Sequence, residues 1–200
     1  MHTNWYALFM GTRKHIVTKA LGLFICKSYK AATIADLEVA TGMTKGAFYH
    51  YFKSKEDIYM AVVESELDML SDMMKRVAEK NISPDEKMIE MIYTRLDAVK
   101  EVVFRNGTLR ANFFRDIWRV EKVRKRFDAK EILLFKDVLR EGVEKGVFRI
   151  DDIDMTAELV HYCVKGIEVP YIRGHIGAKL DDETRDKYVV NLVFGALHRT

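Results

Sequence analysis

Thr33-Ile-Ala-Asp-Leu-Glu-Val-Ala-Thr-Gly-Met-Thr-Lys-Gly-Ala-Phe-Tyr-His-Tyr-Phe-Lys-Ser-Lys-Glu56 spells a compact helix, a glycine turn, a second short helix and the opening of a third. Ile34, Leu37, Val39 and Ala40 recur at helical spacing, and Thr33 stands where its hydroxyl can cap the N–H groups that a first turn leaves unpaired. Gly42 supplies the backbone freedom that a sharp turn between helices needs. Thr44 then caps a second helix in which Ala47, Phe48, Tyr51 and Phe52 are spaced to face inward, leaving Lys45, Gly46, Tyr49 and His50 outside. A cation, a glycine that permits close approach and two hydrogen-bonding aromatics on one short helix suit the major groove of DNA. Ser54-Lys55-Glu56 opens the next helix, whose leading N–H groups, together with the Lys55 ammonium, are expected to clamp a phosphate.

Thr33-Ile34-Ala35, Gly42, Thr44-Lys45-Gly46, Phe48-Tyr49, Tyr51-Phe52 and Ser54-Lys55-Glu56 together resemble the DNA-binding motif of TetR-family transcriptional regulators. Met43 stands where valine is common and Tyr51 where histidine is frequent, which preserves an apolar and an aromatic group. The likeness runs from Arg13 to Val63. It implies an all-α chain of about nine helices: an N-terminal three-helix helix-turn-helix domain, then a C-terminal helical ligand-binding and dimerisation domain. The expected boundaries are 1–56, with 1–10 an N-terminal extension, and 57–200. DNA contacts are expected from Thr33, Thr44, Lys45, Gly46, Tyr49, His50 and Lys55.

Charge divides along the same line. Residues 1–56 carry eight basic and three acidic side chains, a balance of +5, while the remaining 144 carry 25 and 27, a balance of −2. The positive excess therefore sits with the proposed reading head, as binding to a polyanion requires. Cys26 and Cys163 have no Cys-x-x-Cys partner and each falls in an apolar helical pattern, so buried free thiols in a reducing compartment are expected. The first ten residues lack the basic region and cleavage site of a signal peptide, and no apolar run approaches the roughly 20 residues of a membrane span. A cytoplasmic protein without a membrane partner is the expectation.

Only Pro84 and Pro170 interrupt the chain, which favours long helices. The pattern predicts a first helix over about 12–27 with Ile16, Ala20, Leu23 and Phe24 inward, and a linker helix over about 55–80 whose motion would carry the head. Ser83-Pro84-Asp85-Glu86 is a helix start: a capping serine, proline in the first turn, acids at the positive end of the dipole. That helix runs to Asn106-Gly107. A short helix over about 109–118 and a long one over about 120–145 follow, the latter ending in Glu141-Gly-Val-Glu-Lys-Gly-Val-Phe-Arg149, which is also similar to a recurrent TetR-family feature. The last two helices, opening near Asp151 and Asp181, are more apolar than one buried face needs. Two from each of two chains would bury the excess as a four-helix homodimer interface.

In TetR-like proteins the C-terminal helices enclose a small-molecule pocket, and the resemblance implies one here. Its candidate lining is Tyr93, Asn112, Phe113, Phe114, Trp118, His161 and Tyr162, aromatics with few polar groups that suit a lipophilic inducer with one or two hydrogen-bonding handles. No metal is expected, because His161 and Cys163 lie two apart on a helix and diverge. No cofactor is expected either. The chain has no phosphate-binding glycine loop after a strand, no Gly-x-Ser-x-Gly and no His-Glu-x-x-His, so an enzyme is not expected. The expected function is a homodimeric repressor on a palindromic double-stranded DNA operator, released by a small lipophilic ligand; the alternative is a regulator of the same fold that answers to a protein partner or to no ligand.

Overall fold

The computed structural model describes residues 2–105, 117–172, 175–177 and 179–195. Among them are eight helices and no strand: α1 His2–Ala31, α2 Ile34–Thr41, α3 Lys45–Tyr51, α4 Lys55–Ala78, α5 Pro84–Arg105, α6 Ile117–Glu144, α7 Ile153–Ile172 and α8 Asp182–Gly195. The short helix expected over about 109–118 lies mostly outside the described residues. Two compact units divide the chain, Met1–Leu67 with Val102–Arg124, and Asp68–Glu101 with Lys125–Thr200.

In the first unit, α1 is longer than its apolar pattern predicts, because the N-terminal extension continues the helix back to His2. Ile16, Val17, Ala20 and Phe24 of α1 pack with Leu37 of α2, Phe48 and Phe52 around α3, and Ile58, Tyr59 and Val62 of α4. This is the core that holds the three short elements in register. Helical geometry breaks at Ser28 (φ 69°, ψ 152°), one residue beyond the predicted end of the helix, and resumes for a last turn to Ala31. A non-glycine residue at such a φ stores strain on the order of 1–3 kcal/mol, which neighbouring contacts must offset.

Two expectations about burial are corrected. Val39, which recurs at helical spacing with the apolar residues of α2, is 85% exposed; in this eight-residue helix Leu37 is buried and Ile34 packs partly against the same core. Both cysteines are exposed rather than buried. Cys26 follows Phe24 by two residues and so faces away from the α1 core, and Cys163 follows the exposed Tyr162 on α7.

In the second unit, the end of α6 explains why Gly142 and Gly146 occur where they do. Gly146 takes a left-handed φ of 70°, and the N–H groups of Val147 and Phe148 both donate to the Gly142 carbonyl, at 2.8 and 3.1 Å. This closure folds the Phe148 ring onto Gly142, where an added Cβ would stand 2.1 Å from a ring carbon. Glu141 anchors the same turn through Lys145 at 2.7 Å and the buried Lys87 at 2.8 Å. Those ammonium groups, Lys145 first, hold its carboxyl below the usual range.

α7 and α8 contact each other. Ala157, Val160, His161 and Val164 of α7, and Val189 and Val190 of α8, are buried. A second apolar set on the same helices is open: Leu159 is 57% exposed, Tyr162 61%, Tyr188 68% and Leu192 74%. Scattered exposed leucines are ordinary, but two apolar faces on each of two touching helices exceed what one core consumes.

Candidate functional site

The reading head is built by caps. Thr33 and Asp36 form a reciprocal capping box: the Thr33 hydroxyl accepts from the Asp36 N–H at 3.1 Å, and the Asp36 carboxylate accepts from the Thr33 N–H and hydroxyl, both at 2.9 Å. Lys27 donates to the other Asp36 oxygen at 2.6 Å. With Lys27 the largest influence, followed by the Thr33 donors, the Asp36 carboxyl is lowered from 3.8 to about 2. Gly42 closes α2 in the left-handed region (φ 69°), and Thr44 opens α3 by accepting from the Ala47 N–H at 3.3 Å. Only Met43 separates those caps, so the second helix starts as soon as the first has ended.

Phe48 and Phe52 are buried as expected, while Thr44, Lys45, Gly46, Tyr49 and His50 form an exposed group on and before α3. The Thr44 oxygen is engaged as an acceptor, so its hydrogen remains available for donation. Thr33 differs: its hydroxyl hydrogen and its backbone N–H both go to Asp36, which makes it the cap of α2.

Lys55 is also engaged within the head. Its ammonium donates to the carbonyls of Tyr29 (2.9 Å) and Ala32 (2.8 Å) and lies over the Tyr29 ring. Lys55 thus clasps the end of α1, where carbonyls left over at a helix terminus attract a cation. His50, though exposed, meets the edge of the Phe9 ring at 6.1 Å, and Phe9 stacks on Tyr51 with centroids 4.7 Å apart. The first turns of α1 thus touch the C-terminal end of the reading helix, a contact with no local signal in the sequence.

In the second unit the expected ligand-lining residues do not form one described group. Asn112, Phe113 and Phe114 lie outside the described residues, as does the side chain of Trp118. Tyr93 is half-buried, and Tyr162 is exposed on the outer face of α7. His161, by contrast, is fully buried within a cluster of charges. Its Nδ1 stands 2.5 Å from Glu131 Oε2 and its Nε2 3.9 Å from Asp128 Oδ1. Lys165 donates to Asp128 Oδ2 at 2.5 Å. Arg95 Nε lies 3.0 Å from Glu131 Oε1, and Arg95 Nη2 is 3.5 Å from Glu168 Oε2, while the guanidinium covers the Phe127 ring at 4.9 Å.

The signal for this cluster was spacing. Asp128 and Glu131 are three apart on α6, and His161, Lys165 and Glu168 follow at four and three on α7, so each set shares a helix face. Asp128, Glu131 and His161 each offer a possible metal-ligand atom within 4.8 Å of the others. The two carboxylates, however, meet opposite nitrogens of one imidazole, and Lys165 and Arg95 already supply cations.

Residues 16–62 match the family model described as "Bacterial regulatory proteins, tetR family". The HTH-type transcriptional repressor KstR2 of Mycolicibacterium smegmatis is 27% identical over 154 residues, covering 74% of this chain and 73% of that protein. The HTH-type transcriptional regulator QacR of Staphylococcus aureus is 22% identical over 161 residues, 79% of this chain and 85% of its own. Among solved structures, a transcriptional regulator from Cytophaga hutchinsonii shares the fold with a TM-score of 0.74 at 19% identity, over 92% of this chain and 97% of that one. FadR of Bacillus subtilis in complex with stearoyl-CoA does so at 0.64 and 16%, over 92% and 99%. No described helix is long and apolar enough to cross a membrane.

Proposed function

The chain belongs to the TetR family of bacterial regulatory proteins, and from that premise we propose that it is a cytoplasmic homodimeric repressor, bound to a palindromic operator and released by a small lipophilic ligand. The observation that carries this reading is the capped helix pair. α2 and α3 are fixed by Thr33, Gly42 and Thr44, and α3 presents Lys45, Gly46, Tyr49 and His50 on a head with a net positive charge. In this reading α3 enters the major groove, Thr44 and Lys45 meet phosphate or base edges at its leading end, and Tyr49 and His50 reach along it.

One head reads one half-site. A second copy, docked through the open faces of α7 and α8, supplies the other at about 34 Å or a multiple of it. Leu159, Tyr162, Tyr188 and Leu192 support that surface, since their exposure in the single chain is what a four-helix interface would cover. A lipophilic effector is supported by the FadR neighbour, a protein of the same fold that holds stearoyl-CoA. Release follows linkage: each tenfold loss of operator affinity needs about 1.4 kcal/mol of preference for the unbound conformation.

The test is capture of genomic fragments by purified protein, sequenced at two salt concentrations. A palindrome recovered upstream of few genes at both concentrations is the expected result. Diffuse recovery without a motif, lost steeply as salt rises, would refute a sequence-reading head.

A further inference from the structure

The inner stripe of α1 runs on past the core that it helps to build. Phe24, Ala20 and Ile16 are buried with residues of α2, α3 and α4, and Arg13 and Phe9 continue the same stripe toward the start of the helix. Both meet the far end of α3. The Arg13 guanidinium lies over the Phe52 ring, 5.0 Å from its centre, and Phe9 stacks on Tyr51 with centroids 4.7 Å apart and planes at 28°. One face of α1 thereby touches His50, Tyr51 and Phe52 in succession.

α3 needs support at that end. It has seven residues, well below the roughly 12–15 that an isolated helix needs to persist in water. The Thr44 cap holds its leading end and the buried Phe48 its middle. His50, in the last turn, is exposed, and its imidazole makes no hydrogen bond among the described residues. What orients it is aromatic. The Phe9 plane stands at 79° to the imidazole with centroids 6.1 Å apart, and the Tyr51 plane at 87° with centroids 5.4 Å apart; such crossed pairs are favourable at these separations. Tyr51 is half-buried against the core. Phe9, stacked on Tyr51, therefore completes a corner of two held rings around an exposed third.

We infer that Phe9 is a specificity-determining residue of the reading head: from outside the helix-turn-helix it positions the His50 imidazole for a base edge. This deepens the reading in which α3 enters the major groove, and rests on it. Contact with a phosphate tolerates a rotating side chain, because charge attraction has little direction. A bond from an imidazole N–H to the N7 of a purine does not. Freezing a free side chain on binding also costs affinity, and a ring already held avoids part of that cost.

The experiment uses full-length protein on the operator recovered by genomic capture, a panel of that operator with each half-site base pair replaced in turn, and random duplex. Fluorescence anisotropy reads affinity and thermal unfolding reads stability. Phe9→Ala is expected to lower operator affinity about two- to tenfold, with random-duplex affinity and salt slope kept. It should flatten the base preference at the same position as His50→Ala, and add little to the loss in a protein that already carries His50→Ala. Phe9→Leu keeps the apolar bulk without a ring, so it should fold like the parent and still lose the preference, whereas Phe9→Tyr should retain it. A merely structural Phe9 would lower operator and random binding together, in step with the folded fraction. That outcome, independent effects of the two substitutions, an unaltered preference in Phe9→Leu, or a His50→Ala panel identical to the parent's overturns the inference. If Lys45→Ala and Tyr49→Ala then still weaken operator binding, the reading of α3 in the groove stands. If no substitution on α3 weakens it, or no operator is recovered, that reading falls as well.

Discussion

The Lys55 ammonium sits 2.9 Å from the Tyr29 carbonyl oxygen and 4.6 Å from the centre of the Tyr29 ring. A second bond to the Ala32 carbonyl ties down the turn that follows the strained backbone of Ser28. A lysine whose motif suggests a contact with DNA therefore joins the first helix of the head to the fourth.

Lys55→Ala should accordingly destabilise the head, by about 1.5–3 kcal/mol for hydrogen bonds to a charged group. Operator affinity should fall with the folded fraction, while the slope of log affinity against log salt stays as in the parent. Thermal unfolding and an anisotropy titration at several salt concentrations check both. A slope reduced by about one, with stability intact, would return Lys55 to the phosphate backbone.

Tyr49→Ala and Lys45→Ala are expected to behave in the opposite way. Both side chains are exposed on α3, so melting temperature should hardly move while operator affinity drops. The Tyr49 loss should be larger on the operator than on random DNA, and the Lys45 loss similar on both if it meets phosphate. Competition binding separates the two, and unchanged affinity in both variants would show that α3 is turned away from the groove.

Acid should act on Asp36 in a defined window. Its folded value, about 2, lies below the ordinary 3.8 because Lys27 and Thr33 stabilise the carboxylate. A depressed carboxyl stabilises the fold fully above its unfolded value and loses that contribution as pH falls through the folded one. The melting temperature of the parent should therefore exceed that of Asp36→Asn at about pH 5 and converge on it toward about pH 2. A gap independent of pH would mean that the capping box, rather than the charge, carries the effect.

How much of this was legible depended on sequence distance. The head could be read because its determinants are local: Thr33 caps Asp36, Gly42 follows α2 directly, and Phe48 and Phe52 repeat at helical spacing. The contacts of Lys55 with α1 escaped because its partners lie 23 and 26 residues upstream, and a cation beside a helix start looks the same whether it faces DNA or a carbonyl. His161 appeared among the ligand-lining candidates on residue type alone. Its pairing with Glu131 spans 30 residues and two helices, and only the charge spacing on α6 and α7 hinted at it. The exposed cysteines escaped because an apolar neighbourhood in sequence does not say which side of a helix is covered.

The turn after α6 offers a packing test. Gly142→Ala would place a methyl group where the Phe148 ring lies, 2.1 Å from its nearest atom, so either the ring or the helix end must move, at a cost of about 1–3 kcal/mol. Since the clash is with one side chain, the double variant with Phe148→Ala should be no less stable than Phe148→Ala alone, a coupling that chemical denaturation of the four proteins would expose.

Association is the last point at which a single substitution decides between readings. Leu192 is the most exposed of the large apolar side chains on α7 and α8, so Leu192→Glu leaves the buried face of α8, with Val189 and Val190, untouched. If the open face is the seam between two copies, a glutamate there places like charges near each other across a two-fold axis in a dehydrated layer. Light scattering should then find a dimer for the parent and a monomer for the variant, with helical content preserved. Operator affinity should collapse while binding to an isolated half-site stays at the level of one head, because the variant loses the link between heads and not the heads themselves. A variant that remains dimeric, or a parent that is monomeric at micromolar concentration, would move the interface elsewhere or remove it, and the two apolar faces of α7 would then need another partner.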